Sequence, residues 1–87
     1  MAIFAVQREL PCITMEQLAG AQKAAISTSE QFSKDGIPVK YVRSNFYPGS
    51  NHCTCLFEAS DADAVKKVND AAALPYVNIE EVLDLNP

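Results

Sequence analysis

The fold is decided by residues 38–59, which read PVKYVRSNFYPGSNHCTCLFEA. A run rich in β-branched and aromatic residues, Val39–Tyr47, is followed by turn formers, Pro48-Gly49-Ser50-Asn51, and then by a second strand-like run, His52–Ala59. Such runs favour extended strands, and a short connection dense in proline, glycine and asparagine favours a tight reversal of the chain. The stretch therefore predicts an antiparallel β-hairpin in the middle of the sequence.

The residues before the hairpin predict a strand followed by a helix. Ala2–Glu9 mixes β-branched and aromatic residues with short polar ones, and Pro11 ends the run because it lacks a backbone N–H. Thr14 followed by Gln17 fits a capping box, which marks the start of a helix, and Gly36 suits its end. An apolar stripe at spacings of three to four residues supports this helix, with members that include Leu18, Ala21, Ala25 and Phe32.

The residues after the hairpin predict a second helix and a last strand. Ser60 with Asp63 three residues on repeats the capping pattern, and Asp61 adds negative charge where the helix dipole favours it. The apolar stripe of this helix consists of Val65, Val68 and Ala72. Residues 77–85 alternate in the manner of a strand, although residues 80–83 also fit a turn of helix.

The predicted order of elements, strand-helix-strand-strand-helix-strand, indicates a fold class. It is the ferredoxin-like βαββαβ sandwich of α+β proteins, an antiparallel sheet with two helices on one face. With 87 residues, the chain is expected to form a single domain over residues 1–87, because so short a chain supports one core. Apolar residues on the open face of the sheet are expected to be covered by a second copy. We therefore expect a homodimer whose two sheets enclose a cavity, a dimeric αβ barrel.

Composition limits the classes of binding partner and the cellular compartment that we expect for this protein. The net charge of −4, with lysine and arginine scattered singly, favours neither nucleic acid nor a membrane surface as a partner. No apolar run approaches the roughly 20 residues of a bilayer span, and no signal-peptide pattern is present, so we expect a cytoplasmic protein. Cys12, Cys53 and Cys55 are then expected to be reduced thiols. With three scattered glycines, the sequence offers no phosphate-binding loop, and no nucleotide cofactor is expected.

The Cys53-x-Cys55 pair has two interpretations. Residues two apart on a strand share a face, so two thiolates roughly 7 Å apart could hold a soft metal ion. Alternatively, the pair continues with Phe57 as an apolar face that packs under the helices. Packing is the favoured interpretation, because the chain has no second cysteine pair to complete a tetrathiolate site.

The other face of the same strand carries His52, Thr54, Leu56 and Glu58, and we expect it to line the cavity of the dimer. His52 is the only histidine, and an imidazole is both a common metal ligand and the usual general base near neutral pH. Its position beside a turn also fits an ordinary solvated residue.

Glu58 lies in an apolar stretch, where an unpaired carboxylate is costly to bury. Arg8 and Arg43 are its predicted partners, in a pair that is either structural or able to hold an anionic ligand through two hydrogen bonds. We expect Arg8 and Thr54 to contact such a ligand.

Alternation along the second strand places Tyr41 and Arg43 on one face and Val42, Ser44 and Phe46 on the other. Tyr41 and Ser44 are further ligand-binding candidates, and this alternation lets only one of them share a surface with Glu58. Both faces mix polar and apolar residues, so the facing of this strand stays open.

Several landmarks resemble those of a bacterial family of small domains of unknown function. They follow one another in order along nearly the whole chain: Arg8, Val42-Arg43-Ser44, Cys55-Leu56-Phe57-Glu58-Ala59, Asn69, Ala71 and Leu74-Pro75. The resemblance implies a ferredoxin-like, dimeric αβ-barrel fold. One member of this family is described as a nickel-binding protein, which implies nickel or another divalent metal as a cofactor.

Two functions compete on this basis. The first is a dimer that binds a divalent metal or another small ligand, with His52, Glu58, Cys53 and Cys55 as candidate metal ligands. The second is a cofactor-free enzyme, of the oxygenase, isomerase or decarboxylase type, acting on a small hydrophobic acid in the barrel cavity. Its catalytic candidates are Glu58, His52 and Arg43, with Arg8 as an alternative anion clamp. Its apolar wall would come from Phe4, Val6, Phe46 and Leu56, of which only part can face inward. A structural or regulatory partner without a pocket is a third possibility.

Overall fold

A computed structural model describes residues 1–10, 13–83 and 85. The elements follow in the order β1 (Ala2–Glu9), α1 (Met15–Lys34), β2 (Val39–Tyr47), β3 (His52–Ala59), α2 (Ala62–Ala71) and β4 (Asn78–Val82). All strands pair antiparallel in one sheet of order β2-β3-β1-β4, and both helices pack on the same face. The ferredoxin-like βαββαβ prediction is confirmed, as are the bounds predicted for the first three strands.

The last strand is shorter than the predicted span of residues 77–85, since it ends at Val82. Its strand character is confirmed over the alternative of a helical turn. The predictions for Pro11 and Cys12 lie outside the described residues. No helix among the described residues has the length and apolarity needed to cross a membrane.

The first helix begins and ends as its sequence predicted. The Thr14 hydroxyl accepts from the Gln17 backbone N–H at 3.1 Å, and the Gln17 side chain accepts from the Thr14 N–H at 3.0 Å. At the other end Gly36 has a φ of 90°. The N–H of Ile37 donates to the carbonyl of Phe32 at 2.9 Å, the hydrogen bond of a Schellman motif, so glycine's freedom at positive φ closes the helix.

The second helix begins one residue later than the capping pattern predicted. Asp61 is the N-cap, and its carboxylate accepts from the Ala64 N–H at 2.9 Å. The predicted role of Ser60 is therefore wrong. A carboxylate at this position both accepts an unpaired N–H and complements the helix dipole, which a serine hydroxyl does less well.

The core lies between the sheet and the two helices. Val6, Phe57, Val65 and Val68 are fully buried there. The ring of Tyr41 meets that of Phe57 edge to face, with the two ring centres 5.6 Å apart. We call this side of the sheet the helix face and the other side the open face.

Replacing Asp61 with alanine should lower the free energy of unfolding by about 1 kcal/mol, because the Ala64 N–H loses its acceptor. The matched variant Ser60→Ala should change it by less than about 0.5 kcal/mol, since Ser60 is exposed outside the helix. Urea denaturation followed by circular dichroism measures both. Equal losses, or a larger loss for Ser60→Ala, would contradict the observed cap.

Candidate functional site

A β-bulge in β2 decides which side chains meet. Tyr41 pairs with Phe57 and Arg43 pairs with Leu56, so Val42 has no partner in β3. An extra residue in one strand inverts its alternation from that point on. Tyr41 and Ser44 therefore both lie on the helix face.

The predicted alternation of β2 is wrong after Val42 for this reason. Phe46 joins Tyr41 and Ser44 on the helix face, and Arg43 lies on the open face. Glu58 pairs with Lys40 and Ile3 on the open face, so neither Tyr41 nor Ser44 shares its surface.

Arg8 lies on the helix face as well, and it is only 3% exposed. Its Nη1 donates to the Pro75 carbonyl at 3.0 Å and its Nη2 donates to Asn69 Oδ1 at 2.8 Å. The sheet separates Arg8 from Glu58, so the predicted pairing of these two residues is wrong. Arg43 does share the open face with Glu58. Among the described residues, however, these two side chains form no ion pair, and the ion pair found there joins Lys67 to Asp63 at 3.1 Å.

A cavity of about 250 Å³ lies between α1 and the helix face of the sheet. Its polar wall is a chain of hydrogen bonds. The amide of Gln22 donates to the Tyr41 hydroxyl at 3.0 Å, which lies 2.6 Å from Ser44 Oγ, and Ser44 donates to Cys55 Sγ at 2.9 Å. Arg8 and Cys53 complete the polar lining, and the remaining wall is largely apolar. We call this space the helix-side cavity.

Cys53 and Cys55 are buried on the helix face together with Phe57, which agrees with the packing interpretation. Their sulfur atoms are 3.9 Å apart. Burial, followed by the neighbouring Cys55, raises the pKa of Cys53 from its ordinary value of 9.0 to about 11, although Arg8 acts in the opposite direction. Cys53 is thus a neutral thiol at pH 7, a poor metal ligand and a poor nucleophile.

The open face carries a polar cluster built on His52, Gln7 and Thr54. His52 Nε2 is 2.6 Å from Gln7 Oε1, and the Thr54 hydroxyl donates to the same oxygen at 2.8 Å. An amide oxygen only accepts, so in the neutral imidazole this contact assigns the proton to Nε2 and leaves the lone pair on Nδ1. The ring of Tyr47 lies against the imidazole, with ring centres 5.5 Å apart.

Sequence reasoning missed Gln7 and Glu9 as members of this surface. Gln7 pairs across the sheet with Thr54, and Glu9 pairs with His52. Directly opposed residues of antiparallel strands place their side chains on one face, close together. The signal that could have found them was the register between β1 and β3, which the alternation of either strand alone does not give.

The apolar wall expected for an enzyme cavity on the open face is also not assembled there. Phe4, Val6 and Phe46 point toward the helices, and of the four expected residues Leu56 alone lies on the open face. The groups expected to form the enzyme site therefore lie on opposite sides of the sheet: the Glu58 carboxylate is on the open face, whereas Arg8 and the aromatic residues are on the helix face.

Comparison with known proteins identifies relatives of this chain. A family model described as "Nickel responsive protein SCO4226-like" matches residues 4–82. The crystal structure of SCO4226 from Streptomyces coelicolor A3(2) matches with a TM-score of 0.82 and 27% sequence identity, covering 97% of this chain and 100% of that chain. A search among curated proteins found no match. These findings confirm the fold and the resemblance to a bacterial family of small domains with a nickel-associated member.

The raised pKa of Cys53 predicts a loss of stability in alkali. Between pH 9 and pH 11 the unfolded chain releases the thiol proton while the folded chain retains it, so the free energy of unfolding should fall with rising pH, by roughly 1–3 kcal/mol in total. The variant Cys53→Ala should lose less over the same interval, because tyrosines and lysines contribute equally to both proteins. Urea titrations at several pH values measure the two slopes. Parallel slopes would show that Cys53 is not the responsible group.

Proposed function

We propose that this chain, which belongs to the SCO4226-like family of nickel responsive proteins, binds nickel or another divalent metal ion through His52. The ligand atom would be Nδ1 of the imidazole on the open face, and a second copy of the chain would complete the site. The observation that carries the proposal is the hydrogen bond between His52 Nε2 and Gln7 Oε1.

This hydrogen bond gives His52 the form that a metal ligand needs. Histidines that bind metals usually donate their other ring N–H to an oxygen acceptor, which fixes the ring orientation and raises the basicity of the ligating nitrogen. Gln7 is such an acceptor, and the Thr54 hydroxyl holds the glutamine oxygen in place at 2.8 Å. The free Nδ1 is a nitrogen donor of the kind that nickel favours.

Glu9 is the second donor that we assign to the site. It pairs with His52 across the sheet and is exposed, so its carboxylate is available on the same surface. Glu58, the other predicted carboxylate ligand, lies on the same face but near the far end of β3. Cys53 and Cys55 lie on the helix face, and the sheet separates them from this site.

One chain supplies only part of a coordination shell. Across residues 1–10, 13–83 and 85, no three histidine, cysteine, aspartate or glutamate side chains come together in a group that could hold a metal. Two copies related by a twofold axis would bring two imidazoles and two carboxylates, about four protein donors.

The open face offers a reason for two copies to associate. The helices pack on the opposite face, and Ile3, Leu56 and Val82 remain only half-buried on the open one. Covering these apolar residues with the same surface of a second copy would remove them from water and would face the two His52 clusters toward a shared interior. The dimeric αβ barrel remains part of the proposal.

Metal retention tests the proposal directly. Untagged protein, exposed briefly to nickel at pH 7.5 and then desalted, should retain about one ion per two chains by elemental analysis. His52→Ala should retain little, whereas the double variant Cys53→Ala/Cys55→Ala should retain as much as the original protein. Acidification should release the ion, because a protonated imidazole cannot coordinate. A nickel-free original protein, or loss of nickel in the cysteine variant alone, would overturn the assignment.

The tautomer argument makes a separate prediction about Gln7. Gln7→Leu removes the acceptor and should weaken nickel binding roughly 10- to 100-fold in a calorimetric titration. Gln7→Glu keeps an oxygen acceptor for Nε2–H and should bind at least as well as the original protein. If Gln7→Leu and the original protein bind nickel equally, Gln7 does not position His52.

A further inference from the structure

Among the residues that the structure describes, no carboxylate forms an ion pair with Arg8, which is a buried cation. Its two protein acceptors, the Pro75 carbonyl and the Asn69 amide oxygen, are both neutral. The ion pair found in the described part of the chain does not involve it. Buried charges are normally paired, so an uncompensated guanidinium indicates a place for an anion.

The guanidinium also has donors to spare. It carries five N–H groups, and two of its nitrogens make the hydrogen bonds to Pro75 and Asn69. The hydroxyl groups in the same cavity are occupied with one another, through the chain from Gln22 to Cys55. An anion entering the cavity would therefore find its donors at Arg8.

The helix-side cavity also has an apolar wall beside Arg8. Leu18, Ala21, Ala25 and Phe46 line the helix-side cavity beside Arg8, and Met15, which is 76% exposed, lies at its edge. At about 250 Å³ the cavity suits a ligand of roughly ten non-hydrogen atoms, below the usual 300–1,000 Å³ of pockets for drug-sized molecules.

We infer that the helix-side cavity binds a small apolar anion, a monocarboxylate with a short hydrocarbon chain, whose carboxylate pairs with Arg8 and whose chain lies along α1. A guanidinium donates two parallel hydrogen bonds to a carboxylate, and the exclusion of water strengthens both of them. The apolar wall then buries the hydrocarbon. This site lies on the opposite side of the sheet from His52, so none of its side chains is a ligand of the proposed metal site.

Sodium octanoate is the ligand used to test this inference, and 1-octanol is the control, an uncharged molecule with a hydrocarbon chain of the same length. Octanoate should bind the metal-free protein at least about tenfold more tightly than octanol, because only the carboxylate pairs with the guanidinium. In ¹⁵N NMR spectra the Nε–Hε signal of Arg8 should shift on addition of octanoate, and Arg8→Lys identifies that signal by its disappearance. If Arg8 had only a structural role, octanoate would bind no more tightly than octanol and the Arg8 signal would not shift.

Two further variants test the location without altering Arg8. Ala21→Leu fills the cavity and should weaken octanoate binding about tenfold or more, whereas Ser27→Leu, exposed on the same helix and outside the cavity, should bind like the original protein. His52→Ala should also bind octanoate normally, which separates this inference from the metal proposal. Equal binding of octanoate and octanol, equal binding by Ala21→Leu and Ser27→Leu, or an unmoved Arg8 signal would overturn it.

Discussion

The hydrogen bonds of Arg8 join parts of the chain that are far apart in sequence. Through Asn69 and Pro75 the guanidinium of a β1 residue holds the end of α2 and the segment that leads into β4. Asn69 is itself fully buried and donates to the Val65 carbonyl, so this polar group is satisfied on both sides. The second helix, the last strand and the floor of the helix-side cavity therefore depend on one cation being held at this position.

The same contact explains an unfavourable backbone conformation. Ala73 has a φ of 57°, a region that alanine rarely adopts, where it closes α2 with a hydrogen bond from the Leu74 N–H to the Asn69 carbonyl. This turn brings the Pro75 carbonyl to Arg8 at 3.0 Å. We conclude that the charge-assisted hydrogen bond helps to offset the cost of the strained residue.

Local patterns in the sequence were sufficient for the fold but not for the site. The bounds of the first three strands, the Thr14 cap and the Gly36 stop are determined by residues near in sequence, and all of them could be predicted. The bulge at Val42 could not be predicted from the sequence, because both faces of β2 mix polar and apolar residues and no glycine marks the extra residue. Alternation did place His52 and Thr54 on one face, whereas Gln7 and Glu9 join them through a register that pairs residues more than 40 positions apart.

Strand β1 connects the two proposed sites and also keeps them separate. Gln7 and Glu9 point to the open face, and Arg8 between them points to the helix-side cavity, because neighbouring residues on a strand face opposite ways. Antiparallel partners on both sides, β3 and β4, hold the backbone of β1 in place. A ligand at Arg8 could influence His52 through the backbone of β1, which is held by ladder hydrogen bonds on both edges, or through Cys53, which lines the cavity and adjoins His52 in β3. The two proposed sites therefore use different side chains but share the strand that holds them, and full additivity is expected only of groups that lie far apart.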